Sequence, residues 1–151
     1  MIRKIELAFA MIVLSSLGLG ENAPLIVVKH VDAPTTYPHL ARQARIQGRV
    51  SIRLKISASG RVLDAQAATE DSLLKAHPIL QSQALQLVRN WTFECIGCLN
   101  NAGYNHTLVF IYRLEGKQEP YNNSRVTMDL PDTVTIIANP PQVETKTAKT
   151  R

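Results

Sequence analysis

The nine residues 49–57, RVSIRLKIS, constrain this chain more than any other stretch. Val50, Ile52, Leu54 and Ile56 take every second position, with Arg49, Ser51, Arg53, Lys55 and Ser57 between them. A period of two sends the four branched aliphatics to one face of a strand and the cations to the other. The stretch therefore reads as a half-buried β-strand that needs a core on one side only. Gly48 punctuates its start, and Ala58-Ser59-Gly60 sets it at hairpin distance from a second run at 61–68. In that run Val62, Ala65 and Ala67 make a weaker apolar face, and the change of phase after Val62 predicts a bulge or an edge position.

Helical signals flank this hairpin. Pro38 suits the first turn of a short helix running to about Ile46, because its missing N–H would be unpaired there anyway. That helix is expected to bury Leu40, Ala41 and Ala44, to expose Arg42, Gln43, Arg45 and Gln47, and to end at Gly48 as its left-handed residue. Pro78 opens the main helix, where Leu80, Ala84, Leu87, Val88 and Trp91 form one apolar stripe at helical period. Gln81, Gln83, Gln86 and Arg89 face water, so this helix lies across one face of a sheet.

Residues 107–114, TLVFIYRL, set Leu108, Phe110, Tyr112 and Leu114 against Thr107, Val109, Ile111 and Arg113. Both faces are apolar for part of the length, and a cover for the second face is expected. Residues 25–31 read as a short preliminary strand, 95–105 as a loop, and 125–130 and 133–138 as two further β-like runs around Pro131. Pro140-Pro141 ends regular structure, and the Lys/Thr-rich end reads as a solvated, disordered tail. The order helix, strand, strand, helix, strand predicts an α+β fold, a small antiparallel sheet with two helices packed on one face.

Length and charge narrow the function classes. At 151 residues and 45% apolar, the chain suits one domain with an ordinary core plus tails. Its formal charge of +5 permits an acidic partner. The cations are scattered, with no Lys/Arg run and little aromatic interleaving, which argues against nucleic acid. Arg3 and Lys4, then an apolar run at 7–19, then Gly18-Leu19-Gly20 before Glu21, read as an export signal over residues 1–20. The run is shorter than the roughly 20 residues that a bilayer span needs, so cleavage is expected, with an uncleaved inner-membrane anchor as the competing reading.

Tyr37-Pro38, then Ala41 and Ala44, Gly48 with Val50, Ser59-Gly60-Arg61-Val62, Ala84 and Trp91-x-Phe93 form an ordered set that resembles the TonB carboxy-terminal domain. The resemblance covers residues 37 to about 114, roughly half the chain. It implies a strand-strand-helix-strand core after a short helix, a periplasmic location, and no catalysis or cofactor. It also implies binding of an extended peptide of an outer-membrane receptor, which adds a strand beside the domain's last strand. On that basis Thr107, Val109, Ile111 and Arg113 would form the accepting strand, with Tyr37 and Pro38 near the contact. Such β-augmentation draws affinity from backbone groups and selectivity from alternate side chains.

Three departures qualify the resemblance. A full transducer has a long uncleaved anchor and a Pro-rich spacer, and here the domain is expected to begin within about 20 residues of the signal, a reach of only about 60 Å when fully extended. Cys95 stands where the family usually has Pro. Residues 125–138 add β-forming sequence that could lie along the 107–114 edge and block it. The expected division is therefore signal 1–20, linker with a short strand 21–36, domain 37–116, β extension 117–138 and tail 139–151. Two functions stay open: a binding module engaging a receptor or envelope complex by strand addition in energy-coupled transport, and a structural or assembly protein whose sheet edge is closed by its own carboxy-terminal strands or by a homodimer. In either the chain is peripheral to the membrane.

The chemistry-bearing residues are few. Cys95-Ile96-Gly97-Cys98 admits a structural disulfide, a zinc half-site, a redox dithiol or free thiols. Redox use favours a helix N-terminus, whereas this pair follows a helix, and zinc would need two further ligands. In an exported protein a disulfide is the plain reading. His30, His39, His77 and His106 stand singly, and no local signature of a hydrolase, metalloprotease or phosphate-binding loop occurs. No metal or cofactor is expected.

Overall fold

The computed structural model describes residues 24–34, 36–68, 74–75, 77–98 and 103–143. The expected signal at 1–20 and the tail beyond 143 lie outside them. The elements run β1 (Leu25–His30), α1 (His39–Gln43), β2 (Gly48–Ile56), β3 (Val62–Ala67), α2 (Ile79–Val88), β4 (Thr92–Ile96), β5 (Tyr104–Leu114), β6 (Ser124–Asp129) and β7 (Thr133–Ala138). A five-stranded sheet has the order β3-β2-β5-β7-β6, and a two-stranded sheet joins β1 to β4. Every neighbouring pair is antiparallel except β5 and β7, which run parallel. The fold is α+β, and among the described residues a mostly antiparallel sheet carries the helices α1 and α2.

The alternation of 49–57 is realised in β2, where Val50, Ile52, Leu54 and Ile56 are buried while Arg49, Arg53 and Lys55 are exposed. Leu108, Phe110 and Tyr112 of β5 and Val134, Ile136 and Ala138 of β7 continue the same buried face. Leu80, Ala84 and Val88 of α2 close over it. Trp91 completes the helical stripe from beyond the helix end. It is buried against Phe93 and Phe110, and its Nε1–H donates to the Asp32 carbonyl at 3.1 Å. Between β2 and β3 the register slips after Lys55, leaving Leu63 as the extra residue on an outermost strand. Gly60, at φ 83°, lies so close to β4 that a Cβ would collide with the Phe93 carbonyl. Its own carbonyl accepts from the Phe93 amide at 2.8 Å, which ties the hairpin turn to β4.

Three local expectations change. Thr92 to Ile96, including the Cys95-Ile96 expected in a loop, form a strand, and the short strand expected at 25–31 is its antiparallel partner at 25–30. Around α1, Leu40 is 65% exposed and Ala44 is exposed, whereas Arg42 is buried, because the guanidinium finds acceptors that no local pattern shows. The left-handed residue after α1 is Arg45 (φ 54°), and Gly48 is instead the first residue of β2.

Candidate partner-binding site

Strand addition needs a row of unpaired backbone groups. On one flank of β5, β2 pairs from Gly48 opposite Tyr112 to Ile56 opposite Tyr104. On the other, β7 pairs in an unbroken parallel register from Val109 opposite Thr133 to Leu114 opposite Ala138. The expectation of a free edge at Val109, Ile111 and Arg113 is thereby corrected: β5 is an interior strand. Thr107 lies just before the β7 ladder begins. The physical reason is that Val134, Ile136 and Ala138 alternate at the same period as β5 and complete the same buried face, so pairing and burial are satisfied together.

Tyr37 and Pro38 are also drawn into the fold. The Tyr37 ring is buried edge-on against Tyr112 at 5.6 Å, and its hydroxyl donates to the Ile46 carbonyl at 2.6 Å. Burial holds the Tyr37 phenol above its ordinary value. Burial and then the neighbouring Tyr37 do the same to Tyr112. The Tyr37 amide donates to Ser124 Oγ at 2.9 Å, and its carbonyl accepts from Asn122 Nδ2 at 2.7 Å. The backbone that the resemblance places near a partner is thus held by the segment entering β6. Pro38 is the residue before α1, and its carbonyl accepts from the Arg42 amide at 2.9 Å.

Sequence reasoning missed the residues that fasten the carboxy-terminal strands. Arg42 is 2% exposed and donates to the Asn139 carbonyl through Nε at 2.7 Å, and through Nη2 to the carbonyls of Glu119 and, at 3.3 Å, Pro140. Among the described residues it forms no ion pair, so carbonyl dipoles alone offset the cost of burying its charge. These contacts hold Asn139 and Pro140, within the stretch expected to be tail. His106 Nε2–H donates to the Pro131 carbonyl at 2.9 Å and lies 3.7 Å from the Asp132 carboxylate, pinning the β6–β7 turn. Gln47 Oε1 accepts from the Leu114 amide at 3.0 Å. The α1 sequence, His39-Leu40-Ala41-Arg42-Gln43, carries no local sign of these contacts.

Cys95 and Cys98 are joined as a disulfide at the end of β4, with Cα atoms 5.6 Å apart. Among the described residues no group of three His, Cys, Asp or Glu side chains could hold a metal ion, and no helix is long and apolar enough to cross a membrane.

A family model described as the Gram-negative bacterial TonB protein C-terminal matches residues 33–108. The chain belongs to this family. No curated protein matches it. The TonB C-terminal match takes in α1, β2, β3, α2, β4 and the first part of β5, and it stops before the β7 ladder begins at Val109. The TonB C-terminal family is one of non-enzymatic protein-interaction modules that work in the periplasm. In this member β6 and β7 lie outside the matched residues, yet β7 fills the flank of the TonB-like last strand.

Proposed function

We propose that this chain is a periplasmic, non-catalytic interaction module of the cell envelope whose TonB-like accepting edge is closed from within by its own carboxy-terminal strands. The carrying observation is the parallel ladder between β5 and β7. Magnitudes favour a closed edge over a transient plug. Withdrawing β7 would expose Val134 and Ile136, each at roughly 1.5–3 kcal/mol, before any backbone hydrogen bond is counted. The contacts of Arg42, His106 and the Tyr37 backbone add to that cost. In this reading Tyr37, Pro38, Val109 and Ile111 serve the fold, and partners in the envelope meet other surfaces.

Amide exchange tests the closure directly. The Ile136 and Ala138 amides point at β5, and their protection is expected to fall within about tenfold of the Ile52 amide in β2, as for one cooperative unit. A chain bearing Ile111→Cys and Thr135→Cys, cross-linked between β5 and β7, should capture the same envelope proteins as the unlinked chain. Loss of capture on cross-linking would instead point to partner binding by displacement of β7, and exchange at Ile136 orders of magnitude faster than at Ile52 would show that β7 opens apart from the rest of the sheet.

A further inference from the structure

Closing β5 moves the unpaired rim of the sheet to β6. The direction of its open groups follows from the ladder. The Val109 amide donates to the Asp132 carbonyl and the Glu115 amide to the Ala138 carbonyl, so the even-numbered residues of β7 bond to β5 and the odd-numbered ones face β6. Arg125, Thr127 and Asp129 stand opposite Ile137, Thr135 and Thr133, and therefore spend their backbone groups on β7. Ser124, Val126 and Met128 point theirs away from the sheet. The strand has no proline and no bulge, and Arg125, Thr127, Met128 and Asp129 are exposed, with Met128 at 41%.

A rim guarded only by charge usually repels its like. Here the two charges are opposite in sign, on one face, two residues either side of Thr127. In one chain they are about 13 Å apart and cannot meet. Neither forms an ion pair among the described residues. Now consider a second copy laid antiparallel. Only registers that place even residues opposite even residues let the outward groups bond. Of these, the two-fold axis at Thr127 sets Val126 opposite Met128 of the other copy as hydrogen-bonded pairs, and Arg125 opposite Asp129 twice as non-hydrogen-bonded pairs. Non-hydrogen-bonded pairs bring Cα atoms to about 4.5 Å, the closer of the two spacings. An axis at Val126 sets Arg125 against Thr127 and forms neither ion pair. One at Met128 sets Thr127 against Asp129 and carries Arg125 past the end of the strand, opposite Pro131, and again forms neither ion pair.

We infer that β6 is a self-complementary edge whose partner is a second copy of this chain, joined antiparallel about Thr127 into one continuous ten-stranded sheet. The inference rests on β7 remaining on β5, because β6 joins the sheet only through β7, and amide exchange at Ile136 tests that reading separately from the association of β6. The contact is short, so the dimer is weak and charge-tuned, and salt loosens it.

Sedimentation of the full chain from about 10 μM to about 1 mM tests it, a range suited to a small interface. A monomer–dimer equilibrium is expected. Met128→Pro removes an outward amide at a place where an edge strand tolerates proline, and should leave only monomer. Asp129→Arg should weaken association roughly tenfold by setting like charges opposite one another, and adding Arg125→Asp should recover the lost affinity. Should Met128→Pro melt early, the charge exchange decides alone. Monomer throughout the range, a dimer unmoved by Met128→Pro when that variant is folded, or a double exchange that recovers nothing would overturn the inference.

Discussion

The sheet has a central pair, β2 and β5, and two unequal wings. On one side β3 offers Val62, Ala65 and Ala67, all only half-buried. Its ladder is broken by a bulge, and Leu63 is 62% exposed. On the other, β7 offers Val134, Ile136 and Ala138, all fully buried in an unbroken ladder, and β6 runs beyond it. The thin wing lies inside the family match and the thick wing outside it. The difference teaches that sequence added to a recognisable domain can carry more of its core than part of the domain does. Such an addition changes function by removing an edge and creating another.

The sharpest way to break the comparison is to truncate one apolar side chain in each wing. Ile136→Ala should cost about 2–5 kcal/mol because its site is enclosed on all sides, whereas Val62→Ala on the half-open wing should cost roughly 1 kcal/mol. Equal losses in denaturant unfolding would mean that β7 is not the better-packed wing. Next in size is Arg42→Ala. It leaves the Asn139 and Glu119 carbonyls without the arginine donor, while the Pro140 carbonyl keeps the Glu119 amide, and about 2–3 kcal/mol should be lost, with amide exchange rising first near residues 138–141. A loss spread evenly over both wings would show that Arg42 supports the helix and not the thick wing.

Smaller still is Tyr37→Phe, which removes the bond to the Ile46 carbonyl and keeps the ring against Tyr112, at about 1 kcal/mol. The same tyrosines give a pH signature. Burial raises both phenols above the ordinary 10.0, so the folded state disfavours their ionised form. Their contribution to stability is complete below pH 10 and is lost as pH rises beyond it, because the unfolded chain releases those protons first. Thermal unfolding followed upward from pH 9 should show the midpoint falling above pH 10, less steeply in Tyr37→Phe. A flat profile would contradict the burial of the pair.

Much of the fold was legible in local pattern. The alternation at 49–57, the helical stripe from Leu80 to Val88 and the phase change after Val62 each appear in the structure where they were expected. Less of the site was legible. Residues 133–138 read as a strand, but the same alternation would serve an edge, a hairpin or a partner's sheet. Arg42 read as a wet residue because a cation's acceptors can be carbonyls 77 to 98 positions away. The 92–96 strand hid behind a stretch that looked like the end of a helix.

By itself the sequence determined which residues alternate, which face β2 and α2 turn inward and which family pattern the middle of the chain follows, since these depend on spacing along the backbone and on side-chain chemistry. Which strand lies beside which was decided only in the tertiary structure. Backbone groups are the same in every strand, so the neighbour of β5 is chosen by where distant apolar faces can be buried together, and that choice put β7 on its flank and left β6 as the rim.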